Sequence, residues 1–261
     1  MDKSRAEAYL ARIGADRPEQ ADLAGLRALQ WAHLKAVPFE NLSIHLGEPV
    51  VLTEEALLAK VVDRRRGGFC YELNGSFAAL LTALGYRVSL LGARVFGEQR
   101  LGPPMDHLAL RVDLDEPWLV DVGFGRFSRE PLRLDARGDQ ADPNGVFSLR
   151  EHGEDLDVLL DGSPQYRLEQ RPYALADFGP TCWWQTTSPE SYFTKSLTCS
   201  MSTDDGRVTL SGSRLIRTVG DERQETLLAE EETLAAYRTW FGMPLERLPV
   251  PPAAAPTPPE G

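Results

Sequence analysis

The chain is poor in sulfur and imidazole, with 3 cysteines and 4 histidines among 261 residues. Cys70, Cys182 and Cys199 have no paired spacing that would suggest a disulfide framework, and His33, His45, His107 and His152 show no zinc pattern. No metal is implied. No hydrophobic run follows Met1-Asp2-Lys3-Ser4, and no stretch approaches the length of a membrane span, so a cytoplasmic location without a membrane partner is expected. Basic charge is scarce too. The 28 Lys and Arg stand against 39 Asp and Glu, and the net charge of −11 disfavours nucleic acid and anionic membrane surfaces as partners. There is no internal repeat. The length suffices for a sizeable core and two or three modest domains, with monomer and homodimer both open.

What is present is concentrated around one cysteine. Cys70 lies in the run Arg64-Arg65-Arg66-Gly67-Gly68-Phe69-Cys70-Tyr71-Glu72-Leu73-Asn74-Gly75. After it Leu73, Phe77, Leu80, Leu81 and Leu84 recur at helical spacing and Gly85 supplies a stop, which predicts that Cys70 starts a helix. A free thiol has a pKa of about 8.5, and the thiolate is the attacking form. The unpaired N–H groups of a helix start favour an anion there, and Gly67-Gly68 admits close backbone approach. A lone cysteine is more simply a small buried hydrophobe. The glycines, the helix start and the residues downstream favour a nucleophile instead.

His107 opens the alternating run His107-Leu108-Ala109-Leu110-Arg111-Val112-Asp113-Leu114, and Trp118-Leu119-Val120-Asp121-Val122 reads as a second strand after the turn Asp115-Glu116-Pro117. A symmetric turn centred on Glu116 pairs His107 with Gly125 rather than Asp121, so the register stays open. Both residues are odd-numbered and share a face in any unbulged register. A bulge or shifted turn would let the carboxylate accept the imidazole N–H and fix its tautomer. Taken singly, His107 fits a strand-end structural histidine and Asp121 a turn cap. Jointly with Cys70 they form the set that thiol-based acyl transfer requires: nucleophile, base and orienting carboxylate.

Helical signals cover residues 6–13, 23–34 and 54–62, with Pro38 interrupting and Thr53 placed as a cap. Together with the Cys70 helix they predict a helical bundle over 1–86. Short alternating runs, including 88–95 and 158–160, then predict an antiparallel barrel or sandwich over 87–195. Trp183-Trp184 is expected to pack at a domain junction. In 196–261, strands at 207–210 and 213–219 precede a helix at 226–240, and the Pro- and Ala-rich end from 249 is expected to be mobile.

The segments Pro38-Phe39-Glu40-Asn41-Leu42, Arg66-Gly67-Gly68-Phe69-Cys70 with Glu72 and Asn74, Met105-Asp106-His107 and Asp121-Val122-Gly123-Phe124-Gly125 carry a likeness. Ser188-Pro189-Glu190-Ser191-Tyr192-Phe193 and Asp205-Gly206-Arg207-Val208-Thr209-Leu210-Ser211-Gly212 extend it. In these motifs the chain resembles the arylamine N-acetyltransferases of prokaryotic type. The resemblance implies an α+β fold: an N-terminal helical bundle, a central antiparallel β-barrel and a C-terminal α/β lid, with the Cys70, His107 and Asp121 triad where the first two meet. It implies acetyl-CoA as acyl-donor cosubstrate, no tightly bound cofactor, and an arylamine or arylhydrazine acceptor. It also implies substrate contacts at Phe39, Phe124 and Gly125, and coenzyme A contacts at Gly206, Thr209 and Ser211.

Coenzyme A is anionic, so in this acidic chain its phosphates need a local basic or amide-rich patch. Glu40 and Arg66 are expected to form an ion pair that positions the nucleophile loop, with Arg64 and Arg65 solvated. Rival activities share the triad chemistry. A papain- or transglutaminase-like hydrolase is disfavoured by the flanking motifs, and a non-catalytic module by the complete triad. An amide synthase that releases a polyketide from a carrier-protein thioester differs only in the acyl donor and in whether the amine is tethered.

Overall fold

The computed structural model describes residues 1–97 and 100–250; most of the Pro- and Ala-rich end lies outside the described residues. Asp2 and Asp22 open α1 (Lys3–Ile13) and α2 (Leu23–Ala36), accepting the backbone N–H of Arg5 and Gly25, each at 2.8 Å. Gly14 ends α1 at φ +66°, in the left-handed region that suits glycine. At Pro38 the chain leaves the helix and forms strand β1 (Phe39–Glu40), then α3 (Leu42–Leu46). α4 (Glu54–Leu58), capped by Thr53 as expected, runs on into a π-type turn at Ala59–Asp63. α5 (Cys70–Ala83) follows, so Cys70 is its first residue, as its apolar spacing predicts.

Eight antiparallel strands come next: β2 (Arg87–Val95), β3 (His107–Asp113), β4 (Pro117–Val120), β5 (Leu132–Arg133), β6 (Gln140–Asp142), β7 (Gly145–His152), β8 (Asp155–Leu160) and β9 (Ser163–Tyr173). Their order is β5-β4-β3-β2-β9-β8-β7-β6, which leaves β5 and β6 as edges. The Gln140 side chain joins those edges, accepting from the Arg133 N–H at 2.7 Å and donating to the Arg133 carbonyl at 3.0 Å. A side-chain amide thus takes the place of a ladder rung in a nearly closed barrel.

The short helices α6 (Gly179–Thr187) and α7 (Tyr192–Lys195) lead into β10 (Thr198–Ser202), β11 (Gly206–Ser211), β12 (Arg214–Val219), β13 (Glu222–Leu227) and α8 (Glu230–Phe241). The second sheet runs β1-β10-β11-β12-β13, so a strand from the helical segment forms the edge of the C-terminal sheet. This pairing joins residues 39–40 to residues 199–200, across the expected bounds at 86 and 195. The helix expected at 226–240 is shorter at its start, because Thr226 and Leu227 pair with Leu215 and Arg214 as strand.

Strand β3 is buried on both faces and so organises two cores. Leu108, Leu110 and Val112 pack against the helices with Tyr71, Leu73 and Phe77. Ala109, in alternate register, points into the barrel with Phe147, Val158, Tyr166 and Leu168. A third core, Leu42, Val208, Leu210, Tyr237 and Phe241, holds the C-terminal sheet against α3 and α8.

The helical core also contains a neutral imidazole. His33 contacts the Tyr9 hydroxyl through Nε2 at 3.1 Å, and burial, then nearby Arg12, lowers its pKa from 6.5 to about 3. Above pH 6.5 neither folded nor unfolded chain protonates this group; between about 3 and 6.5 only the unfolded chain does. Stability is thus expected to fall as pH drops through that window, by about 1.4 kcal/mol per pH unit from this group. Urea melts across the window should show His33→Gln with a shallower pH slope than the parent; equal slopes would remove the assignment.

Candidate active site

The loop before Cys70 is built by close backbone approach. The Gly68 N–H donates to the Pro38 carbonyl at 3.3 Å and the Glu40 N–H donates to the Gly68 carbonyl at 2.8 Å, binding β1 to the segment before Cys70. A Cβ at Gly67 would lie 1.8 Å from the Pro38 carbonyl oxygen, which is backbone and cannot swing away. Arg66 meets Glu40 at 2.9 Å with both side chains buried, so the expected ion pair is present. Arg64 and Arg65 are exposed.

A second cation, Lys60, is also buried there, on the π-type turn, and it is a residue that the sequence pattern does not single out. Its Nζ lies 2.6 Å from Glu72 and 3.9 Å from Glu40. Glu72 in turn accepts the Phe69 N–H at 3.3 Å, capping the helix that Cys70 begins. Burial pushes the Glu72 carboxyl up and Lys60 opposes it; at Glu40 burial also pushes up, but Lys60 and Arg66 outweigh it and the net shift is downward. Lys60→Met leaves two buried carboxylates short of a partner and is expected to cost about 3–5 kcal/mol. Chemical denaturation checks this, and a loss under 1 kcal/mol ~ the surface-pair range would show that the lysine is not holding the cluster.

The hairpin register resolves the placement of the other two residues. Leu110 pairs with Val120 and Arg111 with Leu119, a register between the two considered above. Carried one step on, it sets Asp121 opposite Ala109, diagonal to His107 on the same face. No bulge is needed here. His107 Nε2 lies 2.7 Å from Asp121 Oδ2, and both residues are buried.

Asp121 is held by other donors. Its Oδ1 accepts from Asn74 Nδ2 and from the Gly123 N–H, each at 2.9 Å, and its Oδ2 accepts from the Tyr166 hydroxyl at 3.2 Å. Asn74 also accepts the Val122 N–H at 2.9 Å and donates to the Leu108 carbonyl at 2.6 Å, tying the Cys70 helix to both strands of the hairpin. With Nε2–H committed to Asp121, Nδ1 is the ring nitrogen left to take a proton.

Cys70 and His107 line one cavity of ≈ 510 Å³. A Cβ on Gly123 would come within 2.7 Å of the Cys70 Cα, so only glycine lets the turn after Asp121 close over Cys70. Burial pushes the Cys70 thiol up, as do the Asp106 and Asp121 carboxylates, while a backbone hydrogen bond from Leu108 pulls it down. The helix start alone therefore does not yield a thiolate. A proton acceptor is therefore needed beside the sulfur, and His107 lines the same cavity.

Known proteins resemble this chain in sequence and in fold. An N-acetyltransferase family model matches residues 22–250. The arylamine N-acetyltransferase of Mycolicibacterium smegmatis is 39% identical over 219 residues, covering 79% of this chain and 80% of that protein. The solved Salmonella typhimurium arylamine N-acetyltransferase superposes with a TM-score of 0.87 at 30% identity, over 95% of this chain and 94% of that one. The Mycobacterium marinum enzyme in complex with CoA does so with a TM-score of 0.84 at 33% identity, over 92% and 93%. The chain belongs to the arylamine N-acetyltransferase family.

The family's acyltransferase chemistry gives meaning to the rest of the cavity wall. Phe39, Phe124, Trp184, Tyr192 and Phe193 make it strongly aromatic, with Asp106, Gln185 and Arg100 as polar members. Phe124 meets the His107 ring edge to face at 5.1 Å. The two tryptophans part company. Trp184 lines the cavity, whereas Trp183 is 68% exposed and does not pack at a junction, because successive helix residues point about 100° apart.

Asp106 accepts from Gln185 Nε2, and the Ser191 hydroxyl donates to Gln185 Oε1 at 2.8 Å, so α6 and α7 are stitched to the start of β3. The outer wall thus comes from the residues just before the C-terminal sheet. Of the other implied contacts, Gly125 sits behind Phe39, and its carbonyl accepts from Arg207 at 2.7 Å. Gly206 lines a separate cleft, Thr209 is bonded to the Ser200 hydroxyl at 2.7 Å, and Ser211 is exposed at the end of β11. None of these three lines the Cys70 cavity among the described residues.

Proposed function

We propose that the chain transfers an acetyl group from acetyl-CoA to the nitrogen of an arylamine or arylhydrazine through a Cys70 thioester. The reading rests on one observation: a cysteine at a helix start opens into the same aromatic cavity as a histidine whose far nitrogen is 2.7 Å from a buried carboxylate. In the first half-reaction His107 Nδ1 takes the Cys70 proton and the sulfur attacks the acetyl carbonyl. The carbon–sulfur bond to coenzyme A breaks, and its thiolate leaves with the proton from His107. In the second, the amine attacks the Cys70 thioester, His107 accepts the nitrogen's proton, and that proton returns to sulfur as the amide departs.

Aromatic walls suit a flat acceptor, and their exclusion of water protects the thioester from hydrolysis. The relatives above are acetyltransferases, which does not favour the amide-synthase alternative. Incubation with acetyl-CoA alone, followed by intact-mass measurement, should show one acetyl group on the protein, and parallel initial-rate lines should follow with an arylamine. Absence of the adduct together with intersecting lines would remove the mechanism. Phe124→Ala is expected to shift relative kcat/KM among arylamines by about tenfold while changing acetyl-CoA KM less. Uniform loss across all amines would assign Phe124 to packing.

A further inference from the structure

Among the described residues, β13 is the long strand whose outer edge is left unpaired. The other sheet ends are short, with two residues in β1, two in β5 and three in β6, and Gln140 already bridges the last two. β13 has six residues, pairs with β12 on one side and ends its sheet on the other. Every one of its side chains is exposed, Leu227 by 76%. Edge strands are ordinarily protected by a bulge, a proline or a lysine. Glu222-Arg223-Gln224-Glu225-Thr226-Leu227 contains neither proline nor lysine, and its pairing with β12 runs without a shift of register.

The direction of the main-chain groups along this edge follows from one hydrogen bond. The Leu228 N–H donates to the Ser213 carbonyl at 2.9 Å, in the same register that pairs Glu222 with Val219. Successive residues of a strand direct these groups to opposite sides, so those of Glu222, Gln224 and Thr226 also point at β12. The N–H and C=O groups of Arg223, Glu225 and Leu227 therefore point outward, where no described strand meets them.

A second copy of the chain offers the same edge, and a two-fold axis across it makes the pairing antiparallel. Outward groups must meet outward groups, which leaves two long registers, over residues 223–227 or over 222–226. The first is centred on Glu225 and sets that carboxylate against its own counterpart, which is repulsive. The second is centred on Gln224. It sets Arg223 against Glu225 of the second copy, and Glu225 against Arg223 of the second copy, so opposite charges face each other twice. Within one copy Arg223 already lies 2.6 Å from Glu225, and Arg214 2.9 Å from it, which places all three on one face of the hairpin. Arg223 needs only to turn from the carboxylate two residues along its own strand to the one opposite.

We propose that β13 is a self-association edge, through which two copies of this chain join their C-terminal sheets in the register centred on Gln224. Strands β10, β11 and β12 separate it from β1, so the joint lies at the end of the sheet remote from the loop before Cys70.

Sedimentation velocity on the full chain tests this. The parent's mass is expected to rise from one chain toward two as the loading concentration rises. Arg223→Glu or Glu225→Arg alone should weaken association about tenfold or more, since each sets like charges opposite one another. Mixing those two variants should restore a mixed dimer, and the double exchange Arg223→Glu/Glu225→Arg should restore a dimer of its own. The double exchange also distinguishes the registers, because in the one centred on Glu225 it would set arginine against arginine. Gln224→Cys lies on the axis, in a pair whose Cα atoms would be about 4.5 Å apart and within disulfide reach. Copper-phenanthroline oxidation in air should join two such chains, whereas Thr226→Cys, which faces Glu222 of the second copy, should stay single.

A parent that keeps the mass of one chain up to about 1 mM overturns the proposal. So does a dimer that is indifferent to both single reversals, which would place the contact elsewhere on the molecule. Loss of the dimer in the single variants with no recovery in the mixture or the double exchange overturns the charge pairing. Slow hydrogen exchange at the Arg223, Glu225 and Leu227 amides of a parent that remains single would assign the edge to a segment of the same chain, again against self-association.

Discussion

Cys70→Ala is expected to abolish both acetyl transfer and the covalent acetyl adduct, while Cys182→Ala and Cys199→Ala retain both. All three thiols are buried, and burial pushes each of them up, Cys182 to about 12. Burial alone therefore does not separate them. What separates them is that Cys70 shares its cavity with an imidazole able to take its proton. Cys70→Ser is expected to lose about 10³-fold or more in rate, because a hydroxyl is far less acidic than a thiol and gains less from the same base. Turnover by Cys70→Ala near the parent rate, measured with acetyl-CoA and an arylamine, would exclude the thioester route.

Asp121→Asn is expected to cost about 10⁴-fold in rate, as an asparagine in this place can misorient the histidine tautomer. The local packing sharpens the expectation. The carboxylate accepts from four donors, those of His107, Tyr166, Asn74 and Gly123, and an amide has one oxygen to offer them. Its NH₂ must then face a donor, so a stability loss of about 1–3 kcal/mol should accompany the rate loss. Thermal melts and pre-steady-state acetylation separate the two effects. A parent-like acetylation rate would reduce Asp121 to a hairpin anchor.

The parts of the site carried by short-range pattern were legible in the sequence. The helix start at Cys70 follows from the apolar spacing of Leu73, Phe77 and Leu80, and the shared face of His107 and Asp121 follows from strand parity. Their register did not, because Pro117 itself begins β4 and the turn is shorter on that side than a symmetric one centred on Glu116. Lys60 reads as an ordinary surface lysine until the π-type turn rotates it inward toward Glu72. Likewise Glu222–Leu227 is exposed throughout and rich in helix-favouring Glu, Gln and Leu, so only its pairing with β12 and the Gly220 turn at φ +55° make it a strand.

The pairing of Phe39–Glu40 with Cys199 and Ser200 carries a consequence for how the protein is made. Every atom of the triad has been synthesised once residue 121 leaves the ribosome, yet β1, which braces the glycines before Cys70, still lacks its neighbour. That neighbour arrives some eighty residues later, at a sequence separation that makes closure slow relative to the local helices. A nascent chain is thus expected to carry Cys70 without this support for those eighty or so residues of synthesis, and the thiol's surroundings to mature when the last third of the polypeptide docks. Stalled chains of increasing length, pulsed with a thiol reagent, would display this order directly as a late change in Cys70 reactivity.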